Sequence, residues 1–185
     1  ITISAGEGGA IGDNINLRGF SARTDVYLDG FRDRGQYARD TFAVEAVEVL
    51  KGPSSMLFGR GSTGGVINQV SKKPNLKASG EATVSIGTDD LYRATLDVNR
   101  PLSETSAVRV SAFGQDVQST RDVVENKDHG IAAGLRLGIG TQTEASFSVL
   151  LQRNDDMPDY GFPVITTAGK GTLRKPVPAA ANQYY

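Results

Sequence analysis

The sequence contains no cysteine, and a single histidine occurs among its 185 residues. The absence of cysteine excludes a disulfide framework and thiolate metal sites, although it does not fix the compartment. No run of about 18 apolar residues is present, which excludes a transmembrane helix. The chain opens on Ile1, without an initiating methionine or a basic leader segment. We therefore expect a piece of a longer precursor rather than a mature cytosolic domain.

An excess of either charge is also lacking, since 20 lysines and arginines face 21 acidic residues, and only 7% of residues are aromatic. Neither a basic tract nor a platform for stacking bases is evident, so we expect no nucleic-acid partner. Glycine is abundant, with 22 residues. This composition favours turns, bulges and close backbone packing over a helical bundle.

Residues 1–75 carry short apolar runs separated by glycine and polar residues. The runs at 25–30 and 66–70 predict strands, and the run at 44–50 predicts a short helical turn that continues as a strand. Lys51-Gly52-Pro53 then ends the element. This half predicts a small, irregular α+β domain.

Beyond Pro74 the pattern becomes almost purely period two. In the first segment Ala82, Val84 and Ile86 share one face, while glutamate, threonine and serine share the other. The five such segments are residues 80–87, 92–99, 108–112, 131–139 and 145–152. A soluble antiparallel sheet with one wet face produces this alternation, and so does a transmembrane β-barrel. The connections at 88–90, 100–104 and 141–143 are short, whereas those at 119–129 and after Arg153 are long and polar. If the first strand runs outward, both long connections fall on the outer side, as a barrel requires, but the alternation of residues alone leaves both interpretations open.

Several motifs suggest chemistry that their context does not support. Residues 59–64 match G-x-G-x-x-G, but Val66 and Ile67 follow, so a strand rather than a helix is expected and a dinucleotide fold is disfavoured. We attribute these glycines to positive φ angles and tight packing. His129 is predicted in a charged surface loop, and Asp155, Asp156 and Asp159 in an acidic loop without EF-hand spacing. With no nucleophile or acid–base constellation evident, the sequence predicts a protein that is not an enzyme.

Residues 31–40 are the stretch richest in recognition residues, with three arginines, a glutamine and a tyrosine. Arginine offers a planar fork of donors with a permanent charge, and tyrosine a flat amphipathic face. The stretch is therefore a candidate anion-binding loop. The alternative is a surface loop whose arginines pair with Asp33 and Asp40.

The stretch from Asn14 to Pro74 resembles the plug domain of TonB-dependent siderophore receptors, catecholate-type receptors in particular. Four ordered blocks carry the resemblance: Leu17-Arg18-Gly19-Phe20, Tyr27-Leu28-Asp29-Gly30, the stretch 47–55, and the stretch 57–74. Residues 158–163 resemble an outer-loop element of the same receptors.

The resemblance implies an α+β plug followed by antiparallel transmembrane strands, as a fragment of a 22-stranded plugged barrel in the bacterial outer membrane. We expect the C-terminal part of the plug at residues 1–75 and the first five or so strands, with outer loops, at 76–185. Relative to the family, the TonB box, the start of the plug and the remaining strands are absent. The implied partners are a ferric siderophore, membrane lipid and the TonB energy-transducing complex, which acts through the missing N-terminal box.

The implied function is energy-coupled import of a ferric siderophore, with catecholates favoured because their ferric complexes are strongly anionic. No cofactor is implied, since the iron arrives chelated by the siderophore. Alternatives are import of another nutrient, such as cobalamin or a glycan, and a soluble β-rich binding module. The predicted ligand-binding residues are Arg18, Arg32, Arg34, Gly35, Gln36, Tyr37, Phe42, Tyr160 and Phe162.

Overall fold

A computed structural model describes residues 2–4, 14–17, 19–22, 25–35, 37, 39–52, 64–88, 90–118, 124–157, 164–166 and 174–176. Strands are the only regular elements within these ranges, and none of the described residues forms a helix that could cross a membrane. The strands are β1 (Thr2–Ser4), β2 (Asn14–Leu17), β3 (Phe20–Ser21), β4 (Val26–Leu28), β5 (Phe31–Arg32), β6 (Val44–Lys51), β7 (Gly65–Ser71), β8 (Ser79–Gly87), β9 (Leu91–Ser103), β10 (Ser106–Gln118), β11 (Glu125–Leu137), β12 (Ala145–Asp156), β13 (Val164–Thr166) and β14 (Arg174–Pro176).

The N-terminal region contains a four-stranded mixed sheet of order β5-β4-β7-β6. Asp29 and Gly30 both have positive φ, which is the backbone of a tight hairpin turn and joins β4 to β5. Strand β4 pairs with β7 in parallel, whereas β6 pairs with β7 in antiparallel. The helical turn predicted ahead of residue 50 is not observed, because a turn at residues 41–43 leads directly into β6.

A small hydrophobic core lies between this sheet and the segment before it, residues 15–22. Leu17, Ala22 and Ile67 are buried together, with Ile15 and Val49 packed against them. Gly64 and Gly65 allow the close approach, since an added Cβ would lie 2.4 Å from the Leu17 carbonyl oxygen and 2.2 Å from the Leu50 carbonyl oxygen, respectively. Gly65 also has a φ of 142° and opens a strand, as expected for glycines that serve packing rather than phosphate binding. Residues 59–63 lie outside the described residues.

The C-terminal region contains a five-stranded antiparallel meander of order β12-β11-β10-β9-β8. Each of the five period-two segments forms a strand, except that residues 138 and 139 of the fourth segment lie in the turn after β11. Residues opposite each other on neighbouring strands share a face. Val84, Leu96, Ile131 and Phe147 belong to the outer face and are exposed, as a lipid-facing band requires. The opposite face is polar and contacts the N-terminal sheet.

The strands run further than their apolar patterns predicted. His129 lies in β11, opposite Gly114 and Arg153, and is not in a loop. Asp155 and Asp156 lie at the end of β12, also not in a loop. At these ends both faces of the strand carry polar residues. The alternation of apolar and polar residues therefore stops before the strand ends. Asp159 lies outside the described residues.

The N-terminal sheet is seated on the polar face of the meander by two ring contacts. Phe42 stacks on Phe113 with ring centroids 4.6 Å apart, above Gly130 of β11. Four residues further along β11, Pro74 lies over Gly134. Both glycines provide space that a side chain would occupy: an added Cβ would lie 2.8 Å from Phe113 Cε1 at Gly130, and 3.1 Å from Pro74 Cδ at Gly134.

A candidate ligand-binding loop

Residues 33–40, hereafter the arginine loop, follow the β4–β5 hairpin and contain much of the predicted recognition set. Arg32 stands at the base of the loop, where its Nη2 lies 3.1 Å from Asp25 Oδ1 and its Nε donates to the Tyr27 hydroxyl at 3.1 Å. Asp25 is 3% exposed. Burial raises the pKa of Asp25, while the positive charge of Arg32 acts in the opposite direction. Arg32 is thus engaged with a buried carboxylate of the sheet.

Asp33 organises the loop by accepting three hydrogen bonds. The donors are the Gly35 amide at 3.1 Å, Arg39 Nε at 3.1 Å and the Tyr37 hydroxyl. Burial alone would raise the pKa of Asp33, but these hydrogen bonds outweigh it and the pKa lies below its usual value. Burial, together with the hydrogen bond to Asp33, raises the pKa of the Tyr37 phenol. The loop is therefore arranged around an ionised carboxylate and a neutral phenol.

Arg39 forms the other half of this arrangement. Its guanidinium carbon lies 4.3 Å from the centroid of the Tyr37 ring, within cation–π distance. Its remaining donors reach the carbonyl oxygens of Gly35 and Tyr37. Arg39 therefore contacts the loop backbone at residues 35 and 37 as well as the Tyr37 ring, and Asp33 compensates its charge.

Arg34 and Tyr37 are the loop side chains that remain open to solvent. Arg34 is exposed and has no ion-pair or hydrogen-bond partner among the described residues. The Tyr37 residue is 43% exposed although its hydroxyl is engaged. A fixed aromatic surface thus lies three residues from an uncompensated cation, next to the exposed backbone of Gly35.

Asp40 closes the loop and attaches it to the meander. Its Oδ1 accepts the Phe42 amide at 2.8 Å, and both carboxylate oxygens accept hydrogen bonds from Arg93 of β9. Phe42 itself is 5% exposed and is covered by Phe113 and Ala132. Its ring is therefore a packing element, and the predicted flat contact with a ligand is not available to it in this arrangement.

Among the predicted site residues, Arg34, Gly35 and Tyr37 lie on the arginine loop and Arg32 lies at its base in β5. Arg18, Gln36, Tyr160 and Phe162 lie outside the described residues. Sequence reasoning missed the organising roles of Asp33 and Arg39. The spacing of Asp33, Tyr37 and Arg39 within seven residues was the available signal, but it did not indicate which charges pair.

A cavity of about 280 Å³ lies between the two sheets and is a weaker candidate. Its cations are compensated: Lys72 Nζ lies 3.7 Å from Asp97, Lys73 Nζ 3.8 Å from Asp29, and Arg109 Nη2 2.7 Å from Asp97. No cluster of three or more potential metal-ligating residues occurs within the part of the chain that the structure describes. The arginine loop is therefore the better candidate site.

A strip of transmembrane-type strands whose polar face holds a small mixed domain is the architecture of a plugged outer-membrane barrel. Residues 1–66 match the family model of the TonB-dependent receptor plug domain. The chain is 37% identical over 191 residues to the catecholate siderophore receptor Fiu of Escherichia coli O157:H7, covering 98% of this chain and 25% of that protein. It superimposes on the crystal structure of the siderophore receptor PiuA from Acinetobacter baumannii with a TM-score of 0.82 and 40% identity, covering 88% of this chain and 24% of that one. The ferric-catecholate import receptor Fiu from Escherichia coli K12, in its open form, gives a TM-score of 0.79 and 37% identity, with 87% and 24% covered.

The chain therefore carries the plug domain and barrel strands of a TonB-dependent outer-membrane receptor of the siderophore-receptor type. It spans about a quarter of the length of the curated relatives it matches. The described plug sheet ends at Ser71 and the barrel strands begin at Ser79, and the domain boundary between 75 and 76 stays a prediction.

Proposed function

We propose that the receptor containing this chain binds a ferric siderophore at the arginine loop and imports it across the outer membrane. The observation that carries the proposal is that one loop presents two exposed recognition residues: Arg34, which has no ion-pair partner among the described residues, and Tyr37, whose ring is held in place. An arginine that forms no internal ion pair is available to neutralise an anionic ligand without first breaking a contact. The relatives named as siderophore receptors support the same assignment.

We propose a catecholate as the siderophore class. A ferric tris-catecholate combines high negative charge with aromatic rings, and Arg34 and Tyr37 match these two properties. Gly35 has no side chain beyond its Cα and leaves the ligand access to the Tyr37 ring. Among the predicted residues outside the described ranges, Arg18 and Gln36 would add donors from the plug, and Tyr160 and Phe162 would cover the ligand from an outer loop.

The proposed role is that of a receptor and importer, not an enzyme. The relatives are named as receptors. We propose that iron enters as cargo, held by the siderophore rather than by protein ligands. The proposed energy source is the TonB complex, acting through an N-terminal box, with membrane lipid around the outer face of the strands.

Import of another nutrient, such as cobalamin or a glycan, is the rival function, because it would use the same plug framework with a different loop. The test is a binding titration of the full-length receptor in detergent against a ferric catecholate, a ferric hydroxamate and cobalamin. Binding of the ferric catecholate with preference over the other two supports the proposal. Preference for the hydroxamate overturns the catecholate class, and binding of cobalamin alone overturns the siderophore assignment.

A further inference from the structure

Among the described residues of the arginine loop, the side-chain hydrogen bonds to the barrel wall all go to one residue, Arg93. Its Nη1 and Nη2 donate to Asp40 Oδ2 at 2.7 Å and to Asp40 Oδ1 at 2.8 Å, so the contact is bidentate. The two side chains are only 25% and 15% exposed, respectively. A bidentate pair between a planar guanidinium and a carboxylate fixes direction as well as distance.

Arg93 is in turn fixed by a row of side chains that crosses the inner face of four strands. Arg93 Nη1 donates to Gln115 Oε1 of β10 at 2.6 Å, and Gln115 Nε2 donates to Asp128 of β11. Asn154 of β12 donates to the second oxygen of Asp128 at 2.8 Å. These residues are directly opposed in the register of the sheet, so the row is set by the barrel and not by the plug.

The same arginine also contacts the Phe42–Phe113 ring pair. The Arg93 guanidinium carbon lies 5.0 Å from the centroid of Phe113, the ring on which Phe42 stacks. Asp40 and Phe42 are two residues apart and joined by the hydrogen bond from the Phe42 amide. The end of the arginine loop is therefore held by charge and by packing at one place on the wall.

We propose that Arg93, a residue of the barrel wall, positions the arginine loop for ligand binding through Asp40, with Gln115, Asp128 and Asn154 holding Arg93 in place. The inference rests on the proposed function, because it takes the loop as the ligand-binding element. Arg93 and Asp40 act here through the orientation of the loop that presents Arg34 and Tyr37. A wall residue of this kind makes binding depend on the fit between plug and barrel.

The test relies on a variant for which electrostatics and positioning predict opposite changes in affinity. Asp40→Asn in the full-length receptor removes a negative charge from the end of the loop, so Coulomb attraction alone predicts tighter binding of a ferric tris-catecholate. Loss of positioning predicts weaker binding, on the order of tenfold in Kd, because the loop must be ordered on binding. Arg93→Lys keeps the charge but loses the bidentate fork, and we expect it to weaken binding as well. Combining Asp40→Asn with Arg93→Gln is expected to weaken binding no further than the stronger single variant, since both remove one contact.

Glu45→Gln is the matched control. Glu45 is also a plug carboxylate paired with a barrel arginine, at 2.9 Å from Arg109 Nη1, but it does not touch the arginine loop. We expect wild-type affinity for this variant. Binding by Asp40→Asn that is unchanged or tighter overturns the proposal. Equal weakening by Glu45→Gln overturns it too, because plug attachment in general would then explain the effect.

A ligand-independent measurement separates this inference from the proposed function. A nitroxide label at position 34 of the full-length receptor reports loop order by its spectral mobility. Mobility that rises in Asp40→Asn and Arg93→Gln, but not in Glu45→Gln, supports positioning. If the wild-type receptor fails to bind the ferric catecholate while mobility rises in this way, the proposed ligand is wrong and the positioning role stands. Unchanged mobility in both variants refutes positioning, whatever the receptor binds.

Discussion

The contact between Phe42 and Phe113 is the most informative point at which to perturb the attachment of the plug. Both residues are 5% exposed, and their rings lie 4.6 Å apart with an interplanar angle of 33°. Truncating a buried phenylalanine to alanine costs about 3–5 kcal/mol. Of this, about 0.5–1.5 kcal/mol belongs to the aromatic pair rather than to burial alone. We therefore expect Phe42→Ala to lower the free energy of local plug opening by about 3 kcal/mol, and Phe42→Leu by roughly a third to a half as much.

Two backbone amides beside the ring serve as reporters. The Val44 amide donates to the Thr41 carbonyl oxygen at 3.0 Å, and the Lys72 amide donates to the Ala43 carbonyl oxygen at 2.9 Å. Hydrogen exchange of the purified full-length receptor measures the free energy of opening at such amides. Since about 1.4 kcal/mol is a factor of ten, we expect protection at both amides to fall about a hundredfold in Phe42→Ala.

The matched control is Phe31→Ala, which removes the same side chain from a plug position that is 81% exposed. We expect little change in protection at the two reporter amides for this variant. If Phe42→Ala changes their protection by less than about threefold while the barrel stays folded, the ring does not anchor the plug. The reasoning from burial would then be refuted.

Four further outcomes are expected. Asp33→Asn should weaken binding of a ferric tris-catecholate on the order of tenfold, although it removes a negative charge, because three donors lose an ionised acceptor; tighter binding in the titration would contradict this. Arg34→Gln should weaken binding by about tenfold and flatten its salt dependence, with Arg34→Lys in between, as measured by titration at several ionic strengths. The pKa of Asp33 in the folded protein lies below its ordinary value of 3.8. The stability that ionised Asp33 gives the loop is therefore fully present above pH 3.8 and is lost only as the pH falls through the lower folded pKa. A nitroxide at position 34 should therefore show the same mobility at pH 7 and pH 5, and increased mobility in this range would contradict the assignment. Asn99→Leu should destabilise the segment after Pro74 by about 2–3 kcal/mol, because Asn99 is fully buried, accepts a hydrogen bond from the Asn75 amide and donates to the carbonyl oxygens of Asn75 and Lys77; hydrogen exchange at the Asn75 amide measures the loss.

The five barrel strands could be predicted from the sequence because lipid and lumen impose opposite environments on alternate residues. That signal ends where the outer face stops being apolar. His129 and Asp155 continue their strands as polar residues on that face, so the pattern assigned them to loops. The order of the strands in the meander and the parallel pairing of β4 with β7 came from the structure.

The candidate site could be predicted as a stretch but not as an arrangement. Composition indicates that residues 31–40 are rich in arginine, but whether each guanidinium is already paired depends on partners that sequence distance does not reveal. Arg32 pairs with buried Asp25 and Arg39 with Asp33, which leaves Arg34 available. The sequence therefore allowed both interpretations of the loop, binding surface and internal salt bridges. The structure shows salt bridges for Arg32 and Arg39, and the binding role of Arg34 stays a proposal.

The small residues on the inner face of β11 follow from the docking of the plug. Gly130, Ala132 and Gly134 occupy successive inward positions, where a soluble sheet or a water-filled barrel would carry larger polar residues. Phe42 and Pro74 lie over the two glycines, and an added Cβ at Gly130 would also come within 3.2 Å of Phe42 Cε1. In the sequence this stretch predicts a strand whose polar face is weak, unlike a strand that faces a water-filled lumen. The contacts explain the discrepancy, because at these positions the inner face meets another domain and not water. A row of glycine and alanine on the polar face of an otherwise alternating strand is therefore a sequence signal for the strand on which a plug is seated.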